Sequence, residues 1–434
     1  MTSDNGFFEK FFKLKEHGTN VSTEVIAGFT TFMTMAYILI VNPLTLADAG
    51  MNFGAVFTAT ALSAVIATLV MAFFANLPFV LAPGMGLNAF FAYSVVLGMG
   101  YSWQFALTAV FLEGIIFLIL TFFNIREAIV DSIPENIKKA VSVGIGLFIA
   151  FIGLKEAGII TANPATFVQL GDLTTAGPLL TLIGLFITGV LLAKKVKGSL
   201  FIGIVVTTII GFFFGVTHAP SAIASAPPAP VMFAFEFDKV FTFDMFIVLF
   251  TFLFVDMFDT IGTLIGVSTK AKMLDENGKL PGIKMALFAD AVGTTVGACL
   301  GTSTVTTYVE SAAGVAEGGR TGLTGLVAAG MFAIALFFSP LFIMIPAQAT
   351  APALVLVGLF MMSPIKEIDF EDFTEAIPAF LTIIMMPLTF SIAEGILAGI
   401  VSYAILKPLS GRGKEVSVVT YIVAVLFILK IIFK

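Results

Sequence analysis

Met245–Val267 reads MFIVLFTFLFVDMFDTIGTLIGV, a stretch that would dissolve in lipid but for Asp256 and Asp259. Its length suits a helix crossing a bilayer. A carboxylate at that depth is costly unless it faces a partner or a water-filled cavity, so these two acids mark a substrate or ion pathway by default. Their three-residue spacing puts both on one helix face.

The rest of the chain agrees with this setting. Of its 434 residues, 58% are hydrophobic and only 12% charged, whereas soluble domains run nearer a quarter charged. Mean hydropathy is +1.06. Apolar runs of helical rather than strand length recur throughout, which predicts an all-α polytopic membrane protein and not an outer-membrane barrel. Fourteen segments are expected, at 24–42, 54–76, 79–98, 102–123, 137–154, 177–194, 198–216, 244–267, 283–300, 303–316, 321–345, 348–363, 376–391 and 393–408. A further apolar run, 416–433, either crosses the membrane or lies on it. One cysteine, Cys299, excludes internal disulfides, and two histidines, His17 and His218, near segment ends argue against a haem or multi-histidine metal site. No cofactor, metal or nucleic-acid partner is expected.

Lysines set the orientation. Lys10, Lys13 and Lys15 precede segment 1, Lys138 and Lys139 lie at the start of segment 5, Lys194, Lys195 and Lys197 separate segments 6 and 7, and Lys270, Lys272, Lys279 and Lys284 follow segment 8. All are cytoplasmic if the N-terminus is inside. The leader before segment 1 has no small-residue cleavage site, so segment 1 reads as a retained helix of a plasma-membrane protein in contact with lipid.

The chain contains a faint copy of itself. IPENIKKAVSVGIGLF from Ile133 aligns without a gap on IPAQATAPALVLVGLF from Ile345, pairing Pro134, Gly146, Leu147 and Phe148 with Pro346, Gly358, Leu359 and Phe360. GSLFIGIV from Gly198 resembles GILAGIV from Gly395. Seven segments per half is odd, so the halves run in opposite directions, as in the inverted repeats of secondary transporters. Segments 3 and 10 both look broken. In NLPFVLAPGMGLNAFFAYSVV, Pro78, Pro83, Gly84 and Gly86 interrupt a helix, and in GTSTVTTYVESAAGVAEGGRTG a polar, β-branched run precedes Glu310 and Ser311. Broken backbone at bilayer depth is tolerated where it lines a cavity.

The strings GFTTFMTMAYILIVNP, APGMGLNAFFAY, FVDMFDTIGTLIG, GTSTVTTYVESAAGVAEGGRTGLT and AEGILAGIVSYA resemble the AzgA-like purine permeases of the nucleobase-cation symporter group, over nearly the whole chain. The resemblance implies two inverted repeats of seven segments, with short strands in segments 3 and 10. It implies a core domain (1–123 and 244–345), a gate domain (124–217 and 346–408) and a hydrophobic tail (409–434). It also implies that Asp256 and Glu310 bind a purine base, that Asn88 supports binding, and that Asp259 serves proton coupling or site geometry. Ionised carboxylates accept hydrogen bonds, which suits the N–H groups of hypoxanthine or guanine, while Asn88 can donate and accept. Phe90, Phe91, Phe258 and Tyr308 are candidates for base stacking, and Ser311 for lining the site. Proton symport is the expected coupling, because desolvation and a neighbouring acid both favour a protonated carboxyl among Asp256, Asp259 and Glu310. Relatives of this fold are often dimers through the gate domain; the sequence itself leaves this open, as it does hypoxanthine/guanine against adenine.

Other acids read as structural. Asp290 is expected to bond a neighbouring helix, Glu113 and Glu394 to pack or mark boundaries, Glu24 to be a helix-start charge, and Glu317 to pair with Arg320. No GxxxxGK[ST] string occurs, which argues against an ATP-driven pump. A cation channel would want a repeated filter, and an anion exchanger an uncharged or basic site. Neither suits two acidic segments, and a carrier rather than an enzyme is expected.

Overall fold

Within a bilayer every backbone amide and carbonyl must be satisfied by protein, and this chain does so with helices except at one central crossing. The computed structural model describes residues 6–123, 134–220, 222–271, 273–276 and 280–432. Segment 1 runs through Val21–Met35 and Ile38–Asp48, jointed at Ala36 and Tyr37 and longer than expected. Segment 2 is Phe53–Val70, loosening into wider turns as far as Ala75, and Asn76 ends it in the left-handed region with φ 53°. Segment 3 is a strand, β1 (Leu81–Pro83), followed by helix from Met85 to Gly98. Segments 4 to 7 are Trp103–Phe122, Glu135–Glu156, Ala176–Ala193 and Ser199–Phe213. A hairpin of β2 (Ile160–Asn163) and β3 (Phe167–Leu170) joins segments 5 and 6.

The second half repeats the order. Segments 8 and 9 are Phe243–Ala271 and Ile283–Leu300. Segment 10 is β4 (Val305–Thr307) followed by the short helix Ser311–Ala316. Segment 11 comprises Gly322–Ala335 and Ser339–Ile343, and segments 12 to 14 are Ala347–Met361, Phe373–Thr389 and Ile392–Leu409. The fourteen segments and both strands therefore stand as the sequence predicts. Among the described residues, ten of them form helical runs long and apolar enough to cross a membrane; segments 3, 7, 10 and 13 are the shorter or broken ones.

The internal repeat is visible in space. β1 and β4 pair antiparallel, with Leu81 opposite Thr307, Ala82 opposite Thr306 and Pro83 opposite Val305. The preceding helices hold the strands by the same device. Thr68 of segment 2 brackets the Leu81 backbone, accepting from its N–H at 3.1 Å and lying 3.3 Å from its carbonyl. Thr294 of segment 9 brackets Val305 in the same way, at 3.3 and 2.9 Å. Gly146 and Gly358, matched in the sequence repeat, face each other: a Cβ on either would collide with the carbonyl oxygen of the other. Such reciprocal contact is the mark of a two-fold relation. The repeat's first residue, Ile133, lies outside the described residues.

Segments 1, 2, 4, 8, 9, 10 and 11 pack on one another, as do 5, 6, 7, 12, 13 and 14. Segment 3 sits in the first group, against segments 1, 4 and 8 and next to segment 5. The loop before segment 8 straps the first group, Phe233 N–H donating to the Cys299 carbonyl and Ser225 N–H to that of Phe337, both at 2.9 Å. The tail helix Val418–Ile432 lies on segment 14, with Phe427 buried against Phe250 of segment 8. At the tail's base, hydrogen bonds from the Arg412 guanidinium hold the Asp372 and Glu415 carboxyls down to about 2.

One boundary reading is extended and one needs correction. Glu24 stands in the first turn of its helix as expected, and it is fully buried there. Its carboxylate accepts from the backbone of Arg320, Thr321 and Thr324 and from the Thr324 hydroxyl at 2.6 Å, so segment 1 caps segment 11. Glu317 pairs with Lys197 of the second group rather than with Arg320, whose guanidinium donates to the carbonyls of Val315 and Gly319 at 2.7 Å. Gly146→Leu and Gly358→Leu should each destabilise the protein by about 1–3 kcal/mol or more through overpacking. Thermal melts in detergent check this, and unchanged melting temperatures would show that the crossing tolerates side chains.

Candidate functional site

The polar run Thr302–Thr307 cannot pair with lipid, and the structure shows what holds it. Asn42 of segment 1 donates to the Thr302 hydroxyl at 2.9 Å and to Thr60 of segment 2 at 2.7 Å. The Ser303 hydroxyl donates to Asn88 Oδ1 of segment 3. Thr304 donates to Glu113 Oε2 of segment 4 at 2.6 Å, and Thr306 shares a 2.6 Å hydrogen bond with Thr260 of segment 8. With Thr294 of segment 9 on the Val305 backbone, successive residues are gripped by side chains from different helices. These groups are buried, and each bond replaces a hydration that the interior denies.

Above this collar lies a cavity of about 210 Å³, smaller than the ~300–1,000 Å³ typical of drug-sized sites and so restricted to a small occupant. Its wall includes Asp259 and Glu310, Tyr37 and Tyr308, and Gly84, Met85 and Gly86. From the second group come Ser142, Val357, Phe360, Met361 and Ser363, so the cavity lies between the two packing groups. The glycines of APGMG are needed here. A Cβ on Gly84 would come within 2.6 Å of Thr306, and one on Gly86 within 2.8 Å of Ile145 of segment 5. Among the described lining residues there is no Lys, Arg or His.

The structure brings some predicted site residues to this wall and places others behind it. Glu310, at the start of its short helix, accepts from the Tyr37 hydroxyl at 2.7 Å. Tyr37 escaped the sequence reading, because the joint of segment 1 that it occupies carries no proline or glycine to announce it. Asp259 lies on the wall, one helical turn from Thr263, also a lining residue. Asp256 and Asn88 are wholly buried and are not lining residues. Tyr308 lines the cavity and anchors its hydroxyl on the Pro83 carbonyl. Phe90 packs edge-on against Phe252, 4.8 Å between centroids, and Phe91 is buried. Ser311 accepts from Val80 N–H at 3.0 Å and so ties segment 10 to segment 3. The side chain of Phe258 lies outside the described residues. Asp290 bonds the neighbouring helix as expected, through Thr260 at 2.6 Å.

Fold and site together define a membrane permease built of two inverted halves. The transmembrane domain of the cyanobacterium bicarbonate transporter BicA matches with a TM-score of 0.66 over 88% of this chain and 97% of that one, at 16% identity, a likeness of fold alone. A family model, Xan_ur_permease, described as Permease family, matches residues 22–398. Adenine permease AdeP of Escherichia coli is 46% identical over 100% of this chain and 97% of its own. Guanine/hypoxanthine permease PbuG of Bacillus subtilis is 47% identical over 98% and 99%. The chain belongs to this permease family, among its nucleobase permeases.

Two substitutions test the geometry. Tyr37→Phe removes the bond that orients Glu310 and should raise the KM for base uptake roughly tenfold, the value of one hydrogen bond to a charged group; an unchanged KM would show that Glu310 needs no such partner. Glu113→Gln keeps an acceptor for Thr304 and should leave uptake largely intact, whereas Glu113→Leu should lower the melting temperature.

Proposed function

We propose that the protein imports purine nucleobases, hypoxanthine or guanine foremost, by proton symport with alternating access. The observation that carries this is a small cavity between the two packing groups with two carboxylates on its wall. Ionised carboxylates accept from ring N–H groups, and such charge-assisted bonds are worth ~1.5–3 kcal/mol each. In this reading Glu310 and Asp259 face the base, Tyr308 offers a ring to its plane, and Asp256 and Asn88 support binding from behind the wall.

The conformation suits a carrier. Ser142 lies one turn from Lys138, and Ser363 leaves segment 12 three residues before Lys366, so the cavity lies toward the lysine-bearing ends of the helices. With the N-terminus in the cytoplasm this is the inward side. The opposite end is fastened. Tyr93 of segment 3 donates to Asp48 of segment 1 at 2.7 Å, Phe390 packs edge-on against Tyr93 and Phe148, and Lys155 of segment 5 stands 5.7 and 5.4 Å from the Tyr93 and Phe390 rings. An arrangement with one end held shut favours alternating access over a channel.

An adenine preference is the second reading, favoured by the relative named adenine permease at nearly the same identity as the guanine/hypoxanthine one. Competition of labelled hypoxanthine uptake by unlabelled adenine, guanine, xanthine and uracil separates the two. Hypoxanthine and guanine should compete best, and stronger competition by adenine would reverse the assignment. A protonophore should abolish accumulation. Glu310→Gln and Asp256→Asn should abolish uptake while the protein stays in the membrane, and wild-type rates in both would sink the site.

A further inference from the structure

Behind the cavity wall Asp256 shares a hydroxyl with a second buried acid, Asp290, that base binding leaves without a task. Thr260 of segment 8 is fully buried, and its one hydroxyl stands 2.6 Å from Asp290 Oδ1, 2.6 Å from Thr306 Oγ1 and 3.4 Å from Asp256 Oδ1. A hydroxyl has a single proton to give. When Thr260 donates to Asp290, its oxygen accepts from Thr306, a residue of the cavity wall. Two hydroxyls thus link the cavity to a carboxylate that is itself 0% exposed. Two ionised carboxylates at one hydroxyl in a dry interior repel each other, and one proton held between them halves that charge.

We propose that Asp290, with Asp256 across Thr260, holds the coupled proton, and that Thr306 and Thr260 pass it in from the cavity. This rests on the proton-symport reading and deepens it. When the cavity opens outward a hydronium in it gives a proton to Thr306, Thr306 gives its own to Thr260, and Thr260 gives its own to Asp290 Oδ1. Three O–H bonds break, three form, a water is left behind and a carboxylate becomes neutral; the same steps in reverse release the proton to the inward side. The surrounding ionisable side chains are Glu113 from segment 4, held by Thr304, Asp256 and Asp259 from segment 8, and Tyr308 and Glu310 beyond β4. Segment 2, also packed on segment 9, carries none. Coupling follows from the shared strand: Thr306 takes the proton, while Thr307 and Tyr308 beside it line the base cavity.

The test uses the full chain in proteoliposomes, with a labelled base that the wild type transports, read in two ways: accumulation driven by an imposed pH gradient, and exchange against unlabelled base without a gradient. Asp290→Asn and Thr260→Val should lose gradient-driven accumulation at least about tenfold while exchange persists, and Thr260→Ser should restore accumulation. Wild-type accumulation in Asp290→Asn or Thr260→Val overturns the proposal. So does loss of exchange together with accumulation in both variants, which would make the group structural. A wild type that exchanges base but does not respond to the pH gradient overturns the symport reading and this inference with it.

Discussion

The pairing of Leu81–Pro83 with Val305–Thr307 is the constraint on which the rest of this structure depends. Two chains are extended where lipid offers no hydrogen bonds, so their free backbone edges must be filled from within. Each strand uses the other on one side and a threonine from the preceding helix on the other, Thr68 and Thr294. This need recruits polar side chains into the apolar helices around it. Asn42, Asn88, Glu113 and Thr260 all bond side chains of the segment 10 run. What looked in the sequence like scattered polar intrusions is one collar around one strand.

That collar separates two jobs done by similar residues. Asp259 and Glu310 line the cavity wall, whereas Glu113 and Glu24 satisfy threonine hydroxyls or a helix terminus. Composition cannot tell them apart, because both kinds sit in apolar runs. For Glu310 the neighbours can, since it follows a broken segment; Asp259 and Glu113 both lie in uninterrupted helices, and only the packing around them separates the two.

Much of the fold was legible because bilayer thickness fixes helix length and because breaks announce themselves through Pro, Gly and β-branched runs. The repeat showed through Gly146 and Gly358, conspicuous since a close crossing has room for nothing larger. The pairing of charges at segment ends was not legible. Glu317 meets Lys197 across more than a hundred residues, and no local spacing rule reaches that far. The depth of Asp256 relative to Asp259 was hidden for a related reason: a three-residue spacing puts both on one helix face, but which of them reaches the cavity depends on how segment 8 packs against β4, two segments further along the chain.

The collar has a consequence for how selectivity can change. Because the strand beside the cavity is held residue by residue by distant helices, a small shift in any one of those helices alters the cavity's shape without replacing any side chain that lines it. Substrate preference in such a protein is a distributed property, and variants that retune it should arise as readily in the second layer as on the cavity wall.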